Sequence, residues 1–106
     1  PPLAFAAVTA DMHAIAYPPP AARGADPDLI VNTSCEHLAD FGGWFARVPA
    51  GQLVALQSND YYAIAEHVNC VSDLAAFRAQ APLAELLYAG EQPRKRYRRF
   101  MLIGRK

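Results

Sequence analysis

The stretches Leu29-Ile30-Val31-Asn32-Thr33-Ser34-Cys35-Glu36-His37 and Leu53-Val54-Ala55-Leu56-Gln57-Ser58-Asn59-Asp60-Tyr61 share one plan. In each, a continuous apolar run stops abruptly at polar side chains capable of chemistry. A short apolar run with β-branched members reads as a strand buried on both faces, the kind found in parallel sheets. In an open α/β sheet the ligand crevice lies outside the carboxyl ends of the strands, so the two stops read as one wall of a binding cleft.

Outward from this pair the chain alternates. Leu38, Phe41, Trp44, Phe45 and Val48 fall at helical spacing. Gly42 and Gly43 soften the middle of that helix, and Pro49-Ala50-Gly51 ends it. Upstream, Phe5 to Thr9 reads as a short strand, followed by a loop rich in proline (Pro18, Pro19, Pro20, Pro27). Downstream, a short helix is expected through Tyr62, Ile64 and Ala65. Ser72 is then the expected N-cap of a helix bearing Leu74, Phe77 and Ala81, which Pro82 stops. Leu86 to Ala89 reads as a strand, Gly90 to Pro93 as a turn, and Phe100 to Ile103 as the last strand. Helical crossovers imply parallel neighbours, and a helix-free connection implies an antiparallel pair. The expected fold is therefore α/β, with a mostly parallel sheet ending in an antiparallel C-terminal strand pair.

Composition sets the class. With 106 residues, 53% hydrophobic and 19% charged, residues 1–106 are expected to form one small globular domain with a modest core. No apolar stretch approaches the ~20 residues of a membrane span, and no leader pattern is visible, so a cytoplasmic protein is expected. Two cysteines, Cys35 and Cys70, are too few for a disulfide framework. The zero net charge is a division: residues 1–93 hold three basic residues and all ten acidic ones, and residues 94–106 hold seven basic residues and no acid. Arg94-Lys95-Arg96-Tyr97-Arg98-Arg99 could meet nucleic acid, but a basic turn feeding an edge strand has the same composition and is the reading adopted.

Taken together, Asp28-Leu29-Ile30-Val31-Asn32-Thr33-Ser34-Cys35-Glu36-His37, Gly51-Gln52-Leu53-Val54-Ala55-Leu56-Gln57-Ser58-Asn59 and the terminal Arg99-Phe100-Met101-Leu102-Ile103-Gly104-Arg105-Lys106 resemble the C-terminal half of a class I S-adenosylmethionine-dependent methyltransferase. That family has seven strands, the seventh antiparallel between the fifth and sixth. The resemblance implies a partial Rossmann-like methyltransferase sheet in which Phe5–Thr9, Leu29–Asn32, Leu53–Gln57, Leu86–Ala89 and Phe100–Ile103 are the third to seventh strands. The family's Gly-rich turn after the first strand, and the ribose-binding acid after the second, have no counterpart here. The expected function is accordingly that of a truncated methyltransferase-like fragment, inactive alone and binding no S-adenosylmethionine by itself.

The resemblance also assigns a half-site. Asp11 corresponds to the acid that accepts from the adenine amino group, with Met12 against the ring. Asn32 and Thr33 stand where the family faces the transferred methyl, although Thr33-x-x-Glu36 is equally a capping box. Glu36 and His37 are the candidate general bases, because methyl transfer needs a held nucleophile and a proton acceptor. Gln57, Ser58, Asn59 and Tyr61 would orient an acceptor substrate whose identity the sequence leaves open.

Two further classes stand beside this one. Cys35, His37, His67 and Cys70 could converge on zinc as a Cys/His domain, but Cys-x-His and His-x-x-Cys are not the usual knuckle spacings, so no metal ligand is assigned. A thiol nucleophile at Cys35 would need activation that sequence does not reveal. The third class is a dimerising or binding module: without the family's first strand, which belongs beside the fourth, the Leu29–Asn32 edge is open to a second copy or to a missing N-terminal half.

Overall fold

Alternation along the strands fixes which face of the sheet is covered. A computed structural model describes residues 7–17 and 28–106. Its elements are β1 (Leu29–Asn32), a single 3-10 turn (Cys35–His37), α1 (Phe41–Arg47), β2 (Leu53–Asn59), α2 (Leu74–Gln80), β3 (Glu85–Pro93) and β4 (Arg98–Arg105). The strands form one mixed sheet in the order β1-β2-β4-β3. Only β1 and β2 pair in parallel, while β4 is antiparallel to both β2 and β3. Ile30, Val54, Leu56, Phe100 and Leu102 point to one face, and there they meet Phe41, Trp44 and Phe45 of α1 and Phe77 of α2 in one core.

A mostly parallel Rossmann-like sheet is therefore not what forms. The last strand inserts between β2 and β3 and turns two of the three pairings antiparallel. Leu29–Val31 is likewise not buried on both faces: with both helices packed on one side, Leu29 and Val31 stay 45% and 58% exposed. Of the expected Phe5–Thr9 strand, residues 5 and 6 lie outside the described residues, and Ala7 to Thr9 form no strand.

Local chemistry explains the other differences. Gly42 and Gly43 occupy the first turn of α1 rather than its middle, where the Asp40 carboxylate caps the helix by accepting from Gly43 N at 3.1 Å. A Cβ on Gly43 would collide with that carboxylate, so the residue that looked like a weakness makes room for the cap. Gly51, at φ 87°, makes the left-handed turn into β2 that other residues resist. The N-cap of α2 is Asp73, not Ser72, with its side chain accepting from Ala76 N at 2.7 Å.

No helix forms through Tyr62–Ala65, which is a series of turns. The backbone on either side is committed elsewhere: Asp60 N donates to Arg98 O, and Val71 N to Asn59 O. Gly90–Pro93 is not a turn. It extends β3, because β4 runs long enough to pair Gly90 with Met101 and Pro93 with Arg98. Pro93 is tolerated at the end of an edge strand, and the reversal falls at Arg94–Tyr97, closed by Arg94 N to Tyr97 O at 2.7 Å. Among the described residues no helix is long and apolar enough to cross a membrane.

Candidate functional site

Parallel pairing sets the carboxyl ends of β1 and β2 side by side, and an asparagine turns the chain away from each. Ser34 N donates to Asn32 Oδ1 at 2.9 Å, and Tyr61 N to Asn59 Oδ1 at 3.1 Å. Both are turns in which the side-chain amide oxygen takes the backbone donor two residues on. Asn69 then lashes the two departing segments together. Its backbone N donates to Glu36 O at 2.8 Å, and its Nδ2 to Cys35 O at 3.0 Å. Gln80 Nε2 in α2 holds Asn69 Oδ1 at 2.7 Å.

This clamp gathers Glu36, His37 and His67, one ligand-type atom of each lying within 4.8 Å of the others. The two imidazoles meet edge to face with centroids 4.6 Å apart. His37 Nδ1 sits 3.1 Å from Glu66 O, and His67 Nδ1 sits 2.8 Å from Tyr61 O. A carbonyl oxygen only accepts, so each Nδ1 must donate, and in the neutral ring Nε2 is left with its lone pair. Glu36 Oε1 lies 3.7 Å from His37 Nε2, too far for a hydrogen bond. Glu36 is buried, and its Oε2 has no hydrogen-bond partner.

The remaining expected site residues divide. Gln57, Ser58, Asn59 and Tyr61 do stand at the β2 end. Ser58 is fully buried with its Oγ unpartnered, and Asn32, buried at the β1 end, keeps its Nδ2 unpartnered. Tyr61 lies against Tyr97, the rings tilted with centroids 4.7 Å apart, beside a cavity of about 510 Å³ that Arg94, Lys95 and Arg96 also line. Thr33 is exposed and forms no capping box: the N-cap of the 3-10 turn is Ser34, and no side chain caps it. Asp11 is committed to its own turn, where Oδ1 accepts from His13 N at 2.9 Å. Met12 packs against the core. Among the described residues no hydrogen bond joins Asp11 to the strand ends.

The cysteines are held apart from this chemistry. Burial pushes the Cys35 thiol up to about 12, and its Sγ faces Asn32 O at 3.5 Å. A thiol so hard to ionise is neither a nucleophile nor a ready metal ligand at neutral pH. The Cys70 thiol is also raised, by burial first and then by Glu36 and Asp60. What sequence reasoning missed is the partnership of Glu36 with His67, since the donors come from different segments, which the Asn69 clamp and the His37–Glu66 contact bring together. No family model, no curated protein and no solved structure matches this chain.

Proposed function

We propose that these residues are the C-terminal half of a cytoplasmic, class I S-adenosylmethionine-dependent methyltransferase-like protein, without activity by themselves. The observation that carries this reading is the strand order. β1-β2-β4-β3, with β4 antiparallel between its neighbours, is the order the resemblance gives to the fourth, fifth, seventh and sixth strands. Among the described residues β1 is one edge of the sheet, the edge where the resemblance implies the family's first strand. The unpartnered Asn32 Nδ2 and Ser58 Oγ add two buried donors for a polar ligand.

The cofactor fits these groups in part. When bound, it supplies the methyl group; Asn32 would donate to it, Gln57 and Asn59 would orient the acceptor, and Glu36 or His37 would take the acceptor's proton. The missing Gly-rich turn and ribose acid remove at least two strong polar contacts at about 1.5–3 kcal/mol each, which weakens binding roughly 10²- to 10⁴-fold. Millimolar S-adenosylmethionine should therefore shift amide NMR signals of Asn32–Cys35 and Gln57–Asp60 without saturating them, and leave α2 unmoved. No shift at these strand ends would sink the half-site. Micromolar affinity would sink the claim that the half-site is incomplete.

One observation favours a second reading, a self-associating module. Leu29, Val31, Leu53, Ala55 and Ile103 run in register across three strands on the face opposite α1 and α2, and Leu29 and Val31 are the most exposed of them. An open apolar edge and face invite a second copy. Sedimentation should then find a homodimer that Val31→Lys converts to monomer. A wild-type monomer at concentrations up to about 0.5 mM, a Kd too weak for a specific interface, would refute self-association.

A further inference from the structure

We infer that Glu36, His37 and His67 form a binding site for one divalent transition-metal ion of the zinc class. The inference does not rest on the methyltransferase reading, and a bound metal would take from Glu36 and His37 the proton-acceptor role given to them there. Its basis is a cluster made of acceptors alone. Both Nδ1 atoms donate to the carbonyls of Glu66 and Tyr61, so the two Nε2 lone pairs and the Glu36 carboxylate are the acceptors left over in the cluster. A protein that binds a metal through histidine fixes its rings in this way, with the non-ligating N–H held by a backbone carbonyl or carboxylate.

The buried carboxylate is the second, separate observation. Glu36 is 7% exposed, and its Oε2 is shielded from solvent without a hydrogen-bond partner. A buried, unpaired carboxylate oxygen is expensive unless a cation or a donor meets it. One proton on one imidazole would satisfy a single acceptor and leave the others facing each other. A dication satisfies all three, and imidazole with carboxylate is a donor set that suits zinc, iron, nickel or copper.

Geometry permits it. Ligands about 2.0–2.1 Å from a tetrahedral zinc lie about 3.3 Å from one another, so the widest separation of 4.8 Å must close by about 1.5 Å. Side-chain torsions supply that, since the His37 side chain is 43% exposed. The backbone is already fixed by Asn69, which ties Cys35 and Glu36 to the loop that carries His67. Cys35 is excluded by its buried, un-ionised thiol, and Cys70 is not among the clustered donors. Three protein ligands leave a fourth position to water, the arrangement of a site that can polarise a substrate.

Calorimetric titration of Zn²⁺ into the metal-free chain at about pH 7.5 should show one site of about micromolar affinity or tighter. His37→Ala, the variant least able to disturb the fold, and His67→Ala should each weaken binding by about 30-fold or more, with unchanged far-ultraviolet circular dichroism. His13→Ala should bind as the wild type does. Absence of saturable binding below about 100 μM Zn²⁺ would overturn the inference. So would wild-type affinity in folded His37→Ala or His67→Ala, or loss of the site through Cys70→Ser alone, which would assign it to thiolate instead.

Discussion

Replacing Trp44 by Ala is expected to destabilise the protein by about 3–5 kcal/mol, the range for deleting a large aromatic from a close-packed core. Trp44 is 1% exposed and is the largest of the fully buried side chains. It joins three parts of the molecule. Its ring packs beside Phe41 at 5.7 Å, its α1 backbone lies over the sheet core, and its Nε1–H points to Tyr17 Oη at 3.4 Å. Arg47 Nη2 also donates to Ile15 O, so α1 is what holds the described N-terminal segment to the domain. A chain of this size has about 5–15 kcal/mol of total stability, and the cavity would consume about a fifth of it or more. Urea denaturation followed by circular dichroism is the measurement, since Trp44 is the single tryptophan and its fluorescence goes with it. Trp44→Phe should recover more than half of the loss by refilling most of the volume. Equal stability of Trp44→Ala and wild type would mean that α1 does not close the core.

The fold was legible where hydrophobic pattern alone decides it. β1, β2 and β4 lie on their expected runs because each alternation is fixed by one covered face, and Leu74, Phe77 and Pro82 set α2 to within a residue. Sequence failed where a partner far along the chain decides. Gly90–Pro93 carries turn residues, yet the length of β4 draws them into a strand. Tyr62–Ala65 carries helix-compatible residues, yet hydrogen bonds to Arg98 and Asn59 on either side compete with helical ones. The mostly parallel sheet failed for a related reason, because one inserted antiparallel strand governs two of the three pairings in a sheet this small.

The candidate site divides along the same line. Residues at the stops of β1 and β2 could be found from sequence, since in an open α/β sheet polar groups that follow an apolar strand gather at its carboxyl end. The assignment of roles could not. Asn32 and Asn59 spend their amide oxygens on turns, and Asp11 spends one carboxylate oxygen on its own. The sequence offers His37 and His67 together only in a set with Cys35 and Cys70; the structure keeps the two histidines, leaves out both cysteines and puts Glu36 beside them. A bare contiguous motif would not reveal this, because Asn69 and Gln80 hold the third member in place.

Alkaline pH should expose how deeply Cys35 is buried. Its side chain is 0% exposed, and burial raises the thiol from 9.0 to about 12. In the unfolded chain the thiol ionises at its ordinary value, so between roughly pH 9 and 12 the unfolded state has released a proton that the folded state still holds. Stability is then fully present below pH 9 and falls as pH rises, by about 1.4 kcal/mol per unit, to a loss of roughly 4 kcal/mol near pH 12. Every other ionisable group is common to the wild type and to Cys35→Ala. The difference between the two proteins isolates the thiol. Denaturant midpoints measured from about pH 8 to 11 should decline more steeply in the wild type, by an order of 1 kcal/mol per pH unit, and Cys35→Ala should overtake it at the alkaline end. Parallel curves would mean that the thiolate is tolerated inside the fold. A nucleophilic or metal-binding role for Cys35 would then return, and the donor set at the strand ends would have to be redrawn around sulfur.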